Sequence, residues 1–169
     1  CGILTTPNTR YYMTADVSDY EANVCFSLDQ INQTLDCQGH QITMDVAYSP
    51  GAISMNYDGG KVMNCKINSV SVGIHVGAGA TSAGIFNINI TNNIFYNLGD
   101  SADCIAGQGI RHTISASIFN SEFSYNTFTY LNGADVDGNR CADESYAINL
   151  INSNNNRIFG NNLTNSGGN

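Results

Sequence analysis

The feature that most constrains this chain is a short pattern that returns along it: an apolar residue, two residues, Asn, one residue, an apolar residue. Ile158, Asn161 and Leu163 carry it near the end, Phe123, Asn126 and Phe128 upstream, then Ile90, Asn93 and Phe95. Val62, Cys65 and Ile67 repeat it with Cys in the Asn place, and the copies lie 28, 33 and 35 residues apart. A period of a few tens of residues marks a repeat architecture, in which one unit cannot bury its apolar side alone and must stack on its neighbours. The segment TLDCQGHQI (34–42), with Leu35, Cys37 and Ile42, fits only with a shift and reads as a related but irregular coil.

A second file supports the first. Ile53 and Met55, Ile74 and Val76, Ile110 and Ile114, and Ile148 and Leu150 are apolar pairs that tend to follow Gly or Ala, each ahead of a copy of the pattern. Each repeat then holds two or three short strands of β-branched and aromatic residues at period two, separated by Gly, Asn and Ser turns. No amphipathic helix of three turns is visible. Pro stands only at positions 7 and 50, as expected of a chain whose coils must all donate ladder hydrogen bonds. Stacking places Val62, Ile90, Phe123 and Ile158 in one buried file and pairs the backbone between coils. The predicted fold is an all-β parallel β-helix (β-solenoid) of about five coils over residues 25–169, with a lead-in or cap over residues 1–24. Asn at an inward bend tolerates turn dihedrals and can pass a hydrogen bond to the next coil, so Asn93, Asn126 and Asn161 are expected to form a ladder that Cys65 extends as a small buried residue.

These coils resemble those of the right-handed parallel β-helix superfamily, the pectate-lyase-like and periplasmic copper-binding repeat proteins. The opening CGILTTPNT, YMTADVS, VCFSL and TLDCQGHQI segments are similar to the first coils of secreted archaeal and bacterial surface members. The resemblance covers about residues 1–165 and implies a right-handed helix. It is nearly silent on activity, because that superfamily includes lyases, hydrolases, adhesins, phage spikes and surface-layer proteins, and it transfers no copper ligand.

Composition narrows the partners. The 6 Lys and Arg residues against 14 Asp and Glu leave a net charge of −8, which disfavours nucleic acid and anionic membranes. No apolar run approaches the roughly 20 residues of a transmembrane segment. With 12% charged and 42% hydrophobic residues the chain does not have a disordered composition. Opening on Cys1 without Met, it is expected to derive from a processed precursor, with an engineered start or a lipidated Cys1 as alternatives. Its six Cys show no paired CxxC spacing, which favours disulfides over a zinc site. Cys37 and Cys65 lie one coil apart, Cys104 and Cys141 in successive loops, and Cys1 and Cys25 flank the lead-in. The expected pairing is 1–25, 37–65 and 104–141, the alternative for Cys37 and Cys65 being small core thiols. Asn32, Asn89 and Asn162 head Asn-X-Thr sequons and are candidate glycosylation sites, which together with disulfides points to an extracellular or cell-surface protein.

Candidate chemistry lies in two acidic insertions, 98–109 and 131–145, which bring Asp100, Asp103, Asp135, Asp137, Asp143 and Glu144 together if Cys104 and Cys141 are bonded. Asp135, Asp137 and Asn139, with Asp103, are candidate Ca²⁺ ligands, since alternate Asp and Asn residues can converge hard oxygens on one ion. The run departs from a calcium loop in the early Gly138 and the missing terminal Glu, and a solvated acidic loop is the alternative. Glycoside hydrolysis needs two carboxyls at a set separation; of Asp36, Asp45 and Asp58, none shares a column with another. Arg111 and Lys66 are bases for a β-eliminative lyase only by elimination, and no catalytic residue is assigned. With no Trp, a sugar would have to stack on Tyr11, Tyr12, Phe95, Tyr96, Phe128 or Tyr130. His40 is expected to stabilise its turn, and His75 and His112 to point outward, where a surface metal contact is conceivable. The expected function is structural: a solenoid building block of a cell-surface layer, sheath, filament or adhesin that forms a homo-oligomer or polymer by stacking. The alternative is a carbohydrate-active enzyme or glycan-binding module of the pectate-lyase-like class, with polysaccharide as partner.

Overall fold

The computed structural model describes residues 1–19, 23–44, 51–68, 71–77, 84–99, 107–112, 117–131 and 145–164, the side chain of Tyr130 excepted. The first coil holds β1 (Gly2–Leu4), β2 (Arg10–Tyr12) and β3 (Val17–Asp19). The second holds β4 (Phe26–Leu28), β5 (Thr34–Asp36) and β6 (Gln41–Met44), and the third β7 (Ile53–Met55), β8 (Lys61–Met63) and β9 (Lys66–Asn68). The fourth runs through β10 (Val72–Val76), β11 (Ile85–Phe86), β12 (Asn89–Thr91) and β13 (Ile94–Leu98). The fifth repeats that order in β14 (Gln108–His112), β15 (Ile118–Phe119), β16 (Glu122–Ser124) and β17 (Thr127–Leu131). The sixth ends with β18 (Tyr146–Asn149), β19 (Arg157–Phe159) and β20 (Asn162–Thr164).

Equivalent strands of successive coils pair in parallel to make three six-stranded sheets, with a further pair of β11 and β15. The result is an all-β parallel solenoid. Its first coil lies in residues 1–19: the segment expected as a lead-in supplies the outermost strand of each six-stranded sheet, which gives six coils among the described residues. Period two decides which side chains meet inside. In the sheet containing β8, the inward file is Tyr11, Leu35, Val62, Ile90, Phe123, Ile158. In the sheet containing β9, it is Val17, Ile42, Ile67, Phe95, Phe128, Leu163. In the sheet containing β7, it is Gly2, Phe26, Ile53, Ile74, Ile110, Ile148. Leu35 beside Val62 and Ile42 beside Ile67 explain the irregular copy: two extra residues are taken up at a bend where Gln38 and Gly39 have φ of 52° and 86°.

Aromatic residues fill the wider coils. Phe95 and Phe128 stack with centroids 4.8 Å apart, and Gly73 and Gly109 face them so closely that a Cβ on either would lie 2.5 Å from a ring carbon. Glycine before Ile74 and before Ile110 is therefore a packing requirement. Disulfides Cys1–Cys25 and Cys37–Cys65 tie the first coil to the second and the second to the third. Closing loops of 24 and 28 residues, each stabilises by about 3 kcal/mol in the chain-entropy model. Cys104 and Cys141 lie outside the described residues.

Much of the Asn content serves the corners. Asn8, Asn32, Asn87, Asn120 and Asn155 have φ between 52° and 59°, with Gly59 at 71° in the third coil, giving one left-handed residue per coil before the second strand file. A second such column is Asn64, Asn92, Tyr125 and Gly160. Asn takes this conformation more readily than other side chains, so each coil can bend sharply at the same place.

Candidate functional site

The inward corner between the sheets of β8 and β9 holds the Asn column. Asn93 Oδ1 accepts from the Cys65 N–H at 3.0 Å, Asn126 Oδ1 from the Asn93 N–H at 3.0 Å, and Asn161 Oδ1 from the Asn126 N–H at 2.9 Å. Each Nδ2 turns back to a carbonyl of the preceding coil: Asn93 donates to Val62 at 3.1 Å, Asn126 to Ile90 at 2.9 Å and Asn161 to Phe123 at 2.8 Å. Side-chain links from Asn93 to Asn126 and from Asn126 to Asn161, both 3.1 Å, complete the ladder. It has a direction: every Oδ1 faces the earlier coil, so every N–H looks for an acceptor in the later one. A parallel ladder at the next corner escaped the sequence reading. Ser121 Oγ accepts from the Ile88 N–H, and Asn156 Oδ1 accepts from the Ser121 N–H, both at 2.9 Å.

The ladder leads to an end. Phe123 and Phe128 are fully buried, but Ile158 and Leu163, next in their files, are 54% and 56% exposed. Among the described residues β18, β19 and β20 pair on one side only, as do β1, β2 and β3 at the opposite end. There Ile3 is 65% and Tyr12 54% exposed. Both ends carry the same motif on the outer face: Arg157 lies 5.0 Å over the Phe159 ring and Arg10 5.1 Å over Tyr12. Each Arg also reaches inward along the stack to a carboxylate, Arg157 to Glu122 at 3.4 Å and Arg10 to Asp36 at 2.6 Å. Burial works to raise the pKa of Asp36, but hydrogen bonds from Asn64, Arg10 and the Gln38 N–H prevail and hold its carboxyl below the ordinary value of 3.8.

The imidazoles correct the sequence reading. His75 and His112 are buried, where outward positions were expected. In the second file His112 stands beside Val76, because period two from Ile110 turns it inward; Ile114 lies outside the described residues. Its Nδ1 accepts from the Ile151 N–H at 3.4 Å, and burial holds its pKa below the ordinary value. His75 lies in the outward file between Ser54 and Arg111, yet is 7% exposed, so it offers no surface metal contact. His40 Nδ1 meets Asp16 Oδ1 at 3.1 Å, tying the CQGH turn to the first coil.

The other candidates scatter. Phe95 and Phe128 are buried and cannot stack on a sugar, whereas Tyr12 is exposed. Lys66 and Arg111 lie on different sheets. Asp36 is engaged by Arg10, and Asp58 caps the Phe86 N–H at 2.9 Å. Asp45 and the Ca²⁺ candidates Asp103, Asp135, Asp137 and Asn139 lie outside the described residues. Among the described residues no group of three metal-binding side chains forms, and no helix is long and apolar enough to cross a membrane. Of the sequon residues, Asn32 is exposed and donates to Asn8 Oδ1 at 2.9 Å, Asn89 has its Oδ1 buried on β12, and Asn162 is exposed on the last coil. A shallow cleft of about 410 Å³ near the first coil is lined by Ile3, Thr5, Asp29, Gln30, Asn56 and Tyr57.

No protein-family model, curated protein or solved structure matches the chain. The likeness to parallel β-helix proteins therefore stands on the coil pattern and on the three parallel sheets.

Proposed function

We propose that this chain is an extracellular structural protein, a solenoid unit that assembles by stacking into a cell-surface layer, sheath or filament. The observation that carries the reading is the exposure of Ile158 and Leu163 in files where Phe123 and Phe128 are fully buried. An apolar strand edge of this kind is a template for another chain, and a head-to-tail contact that continues the stack along its own axis leaves a free end on each subunit, so it propagates. The two disulfides favour an oxidising compartment. Electron microscopy and sedimentation of the purified protein test this. Polymers that disperse in the Ile158→Glu, Leu163→Glu double variant are expected, and a protein that stays monomeric at high concentration would overturn the reading.

A second reading, a glycan-binding module, has one observation in its favour. The cleft sets the half-exposed ring of Tyr57 beside the amides and carboxylate of Gln30, Asn56 and Asp29. Polysaccharide retention that is lost in Tyr57→Ala, by a protein that does not polymerise, would favour it.

A further inference from the structure

We infer that the partner of the last coil is the first coil of a second copy, seated in the register that continues all three sheets: Gly2 on Ile148, Tyr11 on Ile158 and Val17 on Leu163. This rests on the stacking reading and adds which surfaces meet, and in which direction.

The backbone supplies the first argument. At the corner after β2 the Met13 N–H donates to the Asp36 carbonyl of the next coil, and after β5 the Cys37 N–H donates to the Met63 carbonyl, both at 3.0 Å. In later coils the Asn Oδ1 takes over this acceptor role. The N–H of Asn161 is the next donor in this series, and the described residues hold no later coil to receive it. Tyr12 stands in register with Asp36, so in the inferred contact its carbonyl receives the Asn161 N–H as Asp36 receives that of Met13. The first coil has Met13 at this corner and not Asn, which suits a step closed by a backbone carbonyl.

The side chains agree along each file. Ile148 meets Gly2, which leaves room for it. Thr164, whose hydroxyl already pairs with that of Thr129 at 3.0 Å, meets Ser18, and Phe159 meets Tyr12. One juxtaposition opposes the contact: Arg157 and Arg10 occupy the same outward file. Each is held by a carboxylate on the side away from the junction, so Glu122 and Asp36 flank the two guanidiniums and the tier is neutral.

Cross-linking tests the register. Ser18 and Thr164 are exposed, and adjacent strands place Cα atoms at a separation a disulfide can span. The full chain carrying Ser18→Cys and Thr164→Cys, assembled and then oxidised, is expected to give a ladder of covalent oligomers that collapses to monomer on reduction. Mixed single variants are expected to give one heterodimer, and a pair of Asn149→Cys and Ser18→Cys, on different sheets, none. Dimers of Thr164→Cys with itself would mean that two last coils meet each other and would overturn the inference. Polymers in the microscope without any Ser18–Thr164 cross-link would overturn the register and leave stacking intact. Absence of both polymers and cross-links, with unfolding curves like the parent's, would overturn both.

Discussion

Truncating one rung of the inner ladder should cost far more in the middle of the stack than at its end. Asn126→Ala removes four hydrogen bonds: two accepted from the Asn93 backbone and side chain, and two donated, to Ile90 and to Asn161. Asn93, Ile90 and Asn126 are all fully buried, so bulk solvent does not reach the groups that lose their partners. The Asn93 N–H is left without its acceptor and the Ile90 carbonyl without its side-chain donor, each at about 1–3 kcal/mol. Their sum is about 4 kcal/mol, a large part of the roughly 5–15 kcal/mol typical of a domain. For a chain of this size it corresponds to a fall in Tm of roughly 8–16 °C. Asn161→Ala is the control: the residue is half-buried on the last coil and solvent reaches its surroundings, so a loss of about 1 kcal/mol is expected. Urea unfolding with the disulfides intact, followed by circular dichroism under dispersing conditions, measures both. If Asn126→Ala falls within about 1 kcal/mol of the parent, or the two variants are equal, the ladder is not what holds this corner.

Gly109→Ala should destabilise by about 1–3 kcal/mol through overpacking against Phe128, and Phe128→Leu in the same chain should recover part of the loss, both read in thermal unfolding. Asp36 has a depressed pKa in the fold, so its contribution is present above about pH 4 and is lost as pH falls through the lower folded value. The stability gap between parent and Asp36→Asn should therefore narrow towards pH 2, and a gap independent of pH would count against the Arg10 and Asn64 contacts. His112 is also depressed, so below its ordinary value of 6.5 the unfolded chain takes up a proton before the folded one does, and stability falls with pH. His112→Leu should remove that part of the slope between pH 7 and 5, seen as a flatter Tm against pH.

Two of the inward files were legible in the sequence because Val62, Ile90 and Phe123 keep a fixed offset from Ile67, Phe95 and Phe128 across the Asn or Cys corner. The first coil was not, because it lacks that signature: Gly2 contributes no side chain to its file and Met13 stands at the corner. Pairing Ile110 with Ile114 in the sequence leaves His112 outward, whereas strand parity from Ile110 turns it inward and one backbone N–H engages its Nδ1. The corner Asn residues 87, 120 and 155 do recur at the repeat spacing of 33 and 35, but in a chain this rich in Asn the signal is hidden. The candidate site, the last coil with Asn161, was legible as a position. The charge tier at Arg10 and Arg157 was not, since it depends on which strands end the stack.

The placement of the two disulfides bears on the order in which this molecule comes into being. Both lie in the first three coils and bridge neighbours in the stack. Each coil makes its contacts with its immediate neighbours in the stack, as in other quasi-one-dimensional folds where structure propagates from neighbour to neighbour. A chain emerging N-terminus first can complete and covalently close coils one to three before Phe95 and Phe128 exist. Later coils then add to a template already locked, and the two covalent links hold coils one to three against local opening.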